Sequence, residues 1–169
     1  MHHETFMRLA LQQAQLALNN NEFPVGAVIV AEDEPVASGR RENSRDETAN
    51  ELDHAEIVAL RDLLGRRPDI DRKTLTVYST MEPCLMCYAT MLLNGIRTFV
   101  YAYEDAMGGG TSLQLAHLTP LYQGMETEVR ILPNILRQES LTLFKTFFTS
   151  TENNYWQDSL LAEYTLAQP

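Results

Sequence analysis

The chain reads as an α/β protein built on a central sheet with helices on its faces, in one domain. Three observations point there. Segments of helical and strand periodicity alternate along the chain. The 169 residues suit one compact core, and 44% of them are hydrophobic. No repeat, low-complexity tract or interdomain linker interrupts them.

Taken in order, residues 4–19 place Phe6, Leu9, Ala10, Gln13, Leu16 and Ala17 on one face at helical spacing. Residues 23–31 (FPVGAVIVA) are β-branched and read as a strand. A turn at 32–35 and a strand at 36–40 complete a hairpin. Residues 41–53 are polar and read as a loop. Residues 54–64 are periodic as a helix, with Gly65 as its expected stop. A charged connector over 66–73 precedes a strand at 75–80. Residues 83–94 read as a helix with Pro83 at its first position and Gly95 after its end. Residues 96–103 form a strand, and the glycines at 108–110 mark a loop. Residues 113–122 are weakly helical, 127–132 a strand, 134–148 a helix, and 155–167 another. The connection between the strands at 96–103 and 127–132 is long enough for a parallel crossover. Residues 1–150 are expected to form the main unit, with 151–169 as its C-terminal helical extension.

Composition narrows the function. The 13 basic residues face 23 acidic ones, a net charge of -10 that argues against non-specific polyanion binding. Two cysteines cannot frame a disulfide scaffold. No apolar run reaches the length of a membrane span, and the N-terminus lacks a signal-peptide pattern, so a cytoplasmic protein without a membrane partner is expected.

Two short signals stand 30 residues apart: His54-Ala55-Glu56 and Pro83-Cys84-Leu85-Met86-Cys87. Cys84 and Cys87, three apart at a helix start, share a face. A helix N-terminus favours their thiolates. Two thiolates and the His54 imidazole make a three-ligand site suited to one Zn²⁺ per chain, with the fourth position open for water. Zinc makes such a water acidic enough to react near neutral pH. Glu56, two residues after His54, is placed to shuttle the proton. H-x-E followed by P-C-x-x-C is the pattern of hydrolytic deamination at an amine-bearing ring carbon. A CxxC redox pair leaves His54 and Glu56 unexplained, and a structural zinc site lacks a fourth ligand with supporting spacing.

With these motifs the sequence resembles the cytidine deaminase-like superfamily. The resemblance is to the branch of bacterial tRNA adenosine deaminases, guanine deaminases and related nucleoside deaminases. It extends from about Phe6 to Phe148. It implies a three-layer α/β/α fold on a five-stranded mixed sheet, and a homodimer or larger oligomer. Glu22–Val28 looks like the strand that walls the base pocket, which gives Val25 a place there. Asn43, eleven residues before His54, looks like a base-orienting asparagine, although a loop asparagine is also an ordinary turn former. The backbone N–H groups of Ala55 and Cys84 are implied to hold base and oxyanion. Residues 103–109, with Asp105, take the place of a substrate-facing loop.

The departures bear on the substrate. Asn50-Glu51-Leu52-Asp53 stands where the family often has Asp-Pro-Thr-Ala. Phe147-Phe148 is followed by no basic residue, and Lys145 is the last in the chain. The acidic balance therefore favours a free base, nucleoside or nucleotide, with guanine or adenine first. The anticodon loop of tRNA, with adenosine converted to inosine, is the alternative, and a non-catalytic zinc or thiol module a further one. Under the tRNA reading the basic cluster Arg66, Arg67, Arg72 and Lys73 is a candidate phosphate contact. Tyr155, Trp156, Leu160, Leu161 and Tyr164 suggest a helix face that docks on the domain, caps the pocket or lies at an interface.

Overall fold

The computed structural model describes residues 2–45 and 49–169; residues 46–48 of the loop read at 41–53 lie outside it. The elements run α1 (His3–Asn19), β1 (Gly26–Ala31), β2 (Glu34–Arg40), α2 (Ala55–Arg66), β3 (Thr76–Met81), α3 (Leu85–Leu93), β4 (Thr98–Tyr103), α4 (Pro120–Gln123), β5 (Arg130–Leu132), α5 (Arg137–Thr149) and α6 (Leu160–Ala167). The five strands form one sheet in the order β2-β1-β3-β4-β5. β1 is antiparallel to both β2 and β3, whereas β3, β4 and β5 are parallel. This is the expected mixed sheet, and the crossover between β4 and β5 is the parallel one its length allows.

Alternation along the strands sorts the core into two layers. Val28, Val30, Tyr78, Val100 and Ala102 point one way, onto Phe6, Met7 and Ala10 of α1. Ala27, Ile29, Val77 and Phe99 point the other way, onto Leu60 and Leu63 of α2 and Tyr88 and Met91 of α3. β3 is buried along its whole length, as expected of a central strand covered on both faces. α1 and α2 lie close to the hairpin because glycine leaves room. A Cβ on Gly26 would stand 2.1 Å from Ala10 O, and one on Gly39 would stand 2.3 Å from Ala55 O. α5 packs on β4, β3 and α1, and α6 on α5.

Several boundaries differ from the sequence expectation. β1 begins at Gly26 and not at 23, the strand expected over 127–132 is a 3-10 turn at Glu126–Glu128 followed by β5 from Arg130, and α5 begins at Arg137 and not at 134. Gly65 does not stop α2, which runs on to Arg66 and is capped at Arg67. Glycine weakens a helix interior without ending it, and a tertiary contact outweighs that cost: Arg66 donates to Val36 O. Pro83 lies before α3 and not at its first position; Cys84 is the N-cap and Leu85 the first helical residue. The weak helix at 113–122 is a 3-10 turn at Leu115–His117 followed by the short α4 with Pro120 at its start. The helix expected over 155–167 begins only at Leu160, because Trp156 and Asp158 take left-handed φ of 53° and 58°. His3, which carried no assignment in the sequence, bonds through Nδ1 to Tyr78 Oη at 2.9 Å. Among the described residues, no helix is long and apolar enough to cross a membrane.

Candidate active site

The N-termini of α2 and α3 meet at one point above the sheet. His54 is the N-cap of α2 and Cys84 the N-cap of α3. Both helix dipoles therefore direct partial positive charge at the same spot, which favours thiolates and a developing oxyanion. Cys87 lies one turn into α3 and is buried. His54 Nδ1 is 3.5 Å from both Cys84 Sγ and Cys87 Sγ, and the three ligand atoms lie within 4.8 Å of one another. A soft donor set of two sulfurs and one imidazole converging from two helices fits one zinc ion, and leaves a fourth position for water or substrate.

The titrating groups are coupled. The Cys87 hydrogen bond holds the Cys84 thiol down to about 4, with His54 helping against the opposing effect of burial. Burial acts to lower His54, but its bond to Cys84 and the charge of Glu56 outweigh this and raise it to about 9. Cys87, bonded to Cys84 and desolvated, is pushed well up. The metal-free site thus favours an imidazolium beside one thiolate, and the second thiol and His54 must release protons as a metal binds.

Glu56 sits in the first turn of α2 and is only 3% exposed. Ser79 Oγ donates to its Oε1 at 3.2 Å, and Cys87 Sγ approaches its Oε2 at 3.6 Å. Burial, then the Cys84 charge, raises its carboxyl. Its protonated form is therefore accessible, as a proton carrier needs.

A cavity of about 310 Å³ opens onto these groups. Val25, Ala55, Cys84 and Asp105, all expected at the substrate, line it together with His54 and Glu56. Asp105 accepts from the N–H of Met107 and Gly108, and burial raises its carboxyl. The loop it belongs to is tied down by Glu82, which accepts from Asp105 N and Thr111 N at 3.2 Å each. Asn43 is not among the lining residues. Its Nδ2 donates to Asp53 Oδ2 at 2.8 Å, and its φ of 53° is a left-handed turn geometry that asparagine tolerates. Asp53 also accepts from Asn50 and pairs with Arg61 at 3.2 Å, so these side chains knot the loop ahead of α2.

Sequence reading did not reach several lining residues. Phe23 and Met107 fall in the segments expected at the pocket, 22–28 and 103–109, whereas Arg41, Glu51 and Met81 also line it with no role read for them in the sequence. Tyr155, Trp156 and Leu161 also line the cavity, so of the three placements open to the C-terminal aromatics they contribute a wall. Tyr155 packs on Phe23 with ring centroids 5.1 Å apart. α6 is fastened below by Tyr103 Oη to Thr165 Oγ1 at 3.0 Å and by Tyr164 Oη donating to Glu104 at 2.7 Å.

A half-buried zinc-type triad, an adjacent protonatable carboxyl and a base-sized apolar cavity define a zinc-dependent hydrolytic deaminase. The comparisons agree. The chain belongs to the family described as "Cytidine and deoxycytidylate deaminase zinc-binding region", which matches residues 1–103. It is 31% identical over 157 residues to tRNA-specific adenosine deaminase 2 of Xenopus tropicalis, covering 89% of this chain and 91% of that protein. It is 31% identical over 142 residues to the tRNA-specific adenosine deaminase of Rickettsia bellii, covering 84% and 97%. A solved structure from work on A-to-I editing by tRNA:A34 deaminases superposes with a TM-score of 0.65 at 27% identity, covering 82% of this chain and 98% of that one. The guanine deaminase of Nitrosomonas europaea shares the fold, with a TM-score of 0.66 at 18% identity and coverage of 85% and 83%.

Proposed function

We propose that this protein converts adenosine to inosine in the anticodon loop of a tRNA. The observation that carries this reading is near-full-length similarity to proteins named tRNA-specific adenosine deaminases. It displaces the preference for a small purine that the acidic composition suggests, and the family membership leaves no ground for a non-catalytic module.

The geometry supports a simple proton economy. Zinc, held by His54, Cys84 and Cys87, supplies the Lewis acidity that makes a water reactive near neutral pH. The water oxygen bonds to the ring carbon that bears the amine, while Glu56 takes one proton and passes it to the neighbouring ring nitrogen. Glu56 then carries the second proton to the amine, the C–N bond breaks, and ammonia leaves a ring carbonyl behind. We place the base in the cavity lined by Val25, Met81 and the C-terminal aromatics, with the N–H groups of Ala55 and Cys84 as its proposed edge contacts and Asp105 at its rim. In this arrangement Asn43 shapes the loop ahead of α2 through the bond from its Nδ2 to Asp53.

Turnover of a free base or nucleoside is the second reading. One observation favours it: Tyr155, Trp156 and Leu161 wall the cavity on the side of the C-terminal segment, against a net charge of -10. Ammonia release from an adenosine-34 stem-loop, measured beside a panel of free bases and nucleosides, separates the two. The stem-loop is expected to react at least a hundredfold faster per enzyme. Equal or faster turnover of a free purine overturns the tRNA reading.

Two free cysteines serving as ligands suit a reducing, cytoplasmic compartment. We infer a homodimer through the α2–α3 side, where Leu52, Leu85 and Leu93 are exposed beside an apolar groove lined by Ile57, Leu60 and Met86. Light scattering is expected to give twice the chain mass; a monomer at micromolar concentration overturns it.

A further inference from the structure

Glu51 occupies an unusual position between two parts of the site. Its Oε2 lies 3.1 Å from His54 Nε2, on the side of the ring away from the two sulfurs. The same carboxylate accepts from Tyr155 Oη, at 3.1 Å to Oε1 and 2.9 Å to Oε2. Tyr155 precedes Trp156, and both line the cavity. Beneath them lies Arg41, 2% exposed, with one guanidinium nitrogen 3.5 Å from Glu51 Oε2 and 3.4 Å from Tyr155 Oη. Its Cζ stands 5.5 Å over the Tyr155 ring. Arg41 also donates to the backbone oxygens of Asn50 and Asp53 on either side of Glu51, so the carboxylate is presented from a braced loop.

We propose that Glu51 is a positioning residue with two tasks, orienting the ligand His54 and latching the C-terminal wall over the base cavity through Tyr155. A carboxylate on the far nitrogen of a ligating imidazole fixes which nitrogen carries the proton and which faces the metal. Here Nε2–H donates to Glu51, and Nδ1 is left to the ion beside Cys84 and Cys87. Because one carboxylate serves both partners, zinc retention and the seating of residues 155–161 are coupled, and the coupling acts in both directions. This rests on the zinc-deaminase reading of the site and not on the choice of substrate.

The test uses the full-length zinc-loaded protein and no substrate, so its failure leaves the substrate reading standing. Trp156 is the chain's single tryptophan, lines the cavity and is 43% exposed, so a further rise in acrylamide quenching of its emission reports release of the wall. Zinc release to a chelating dye reports the metal. Glu51→Ala is expected to speed zinc release about tenfold and to increase quenching of Trp156. Glu51→Gln keeps an acceptor and is expected to recover most of both. Tyr155→Phe cuts the latch and leaves the Glu51–His54 contact in place: quenching rises as in Glu51→Ala, while zinc release speeds by a smaller factor than in Glu51→Ala. Removing zinc from the parent is expected to increase quenching as well. Unchanged zinc release in Glu51→Ala, or unchanged quenching in both Glu51→Ala and Tyr155→Phe, overturns the proposal. The Phe variant deletes one hydroxyl, so the latch remains testable even if Glu51→Ala folds poorly.

Discussion

At the scale of single residues, the behaviour of Glu56 follows from where α2 places it. Replacing it by glutamine keeps the shape and removes the proton carrier, so ammonia release is expected to fall by about 10²- to 10⁴-fold. Zinc content by elemental analysis is expected to stay at one per chain, and retained turnover in that variant would remove Glu56 from the chemistry. The same burial makes a stability prediction for protein stripped of zinc. The carboxyl is raised above its ordinary 4.5 in the fold. The unfolded chain loses this proton near 4.5, whereas the folded state holds it to higher pH. The folded state therefore binds more protons over that window, and stability falls as pH rises through it, by about 1.4 kcal/mol per pH unit. Glu56→Gln has no such slope. The melting-temperature gap between stripped variant and stripped parent is expected to widen from about pH 5 upward, and parallel curves would show that Glu56 is already ionised in the fold. His54, Glu56, Cys84 and Cys87 were legible because spacing at helix starts is a local signal that survives without the fold. Glu51 was not. Its latch to Tyr155 spans 104 residues, and no local pattern records that pairing.

At the scale of elements, the site is only as well placed as the first turn of α2, and that turn rests on the β2 strand at Gly39. A methyl there would fall 2.3 Å from Ala55 O and 2.6 Å from Ala59 N, both backbone atoms that cannot swing aside. Gly39→Ala is expected to cost about 1–3 kcal/mol, and to speed zinc release by pushing His54 away from the cysteines. Ser38→Ala, on the exposed side of the same strand, is expected to stay within about 0.5 kcal/mol. Urea melts and dye-monitored zinc release check both, and equal effects of the two substitutions would remove Gly39 as the spacer. Element existence was readable from periodicity because each helix and strand buries one coherent face. The ends were less so. Gly65 and Pro83 carry end signals that tertiary contacts and an N-cap cysteine shift by one or two positions. The C-terminal helix starts late because the chain must turn at Trp156 and Asp158 to lay its aromatics on the cavity.

At the scale of the whole molecule, charge and shape decide how a polyanion could approach. The basic cluster at 66–73 fits a phosphate contact in the sequence, yet the fold places it poorly for that. Arg66 pairs with Asp62 and Lys73 with Glu128 at 3.5 Å, and Arg72 donates to Pro68 O. α2 begins at the active site and has twelve residues, so Arg66 stands about 18 Å along the helix from the zinc ligands. Net charge was legible in composition, but distance from the site was not, because only the direction of α2 sets it. If an anticodon stem-loop is the substrate, log(kcat/KM) is expected to fall linearly with log salt, by about 0.7 per phosphate contact on a single strand. The double variant Arg66→Ala with Arg67→Ala is expected to leave that slope unchanged within about 0.5, and kcat/KM within about twofold. A slope that flattens by one or more contacts would bring the far end of α2 into the RNA path. The acidic surface would then be bridged by a local patch well away from the cavity.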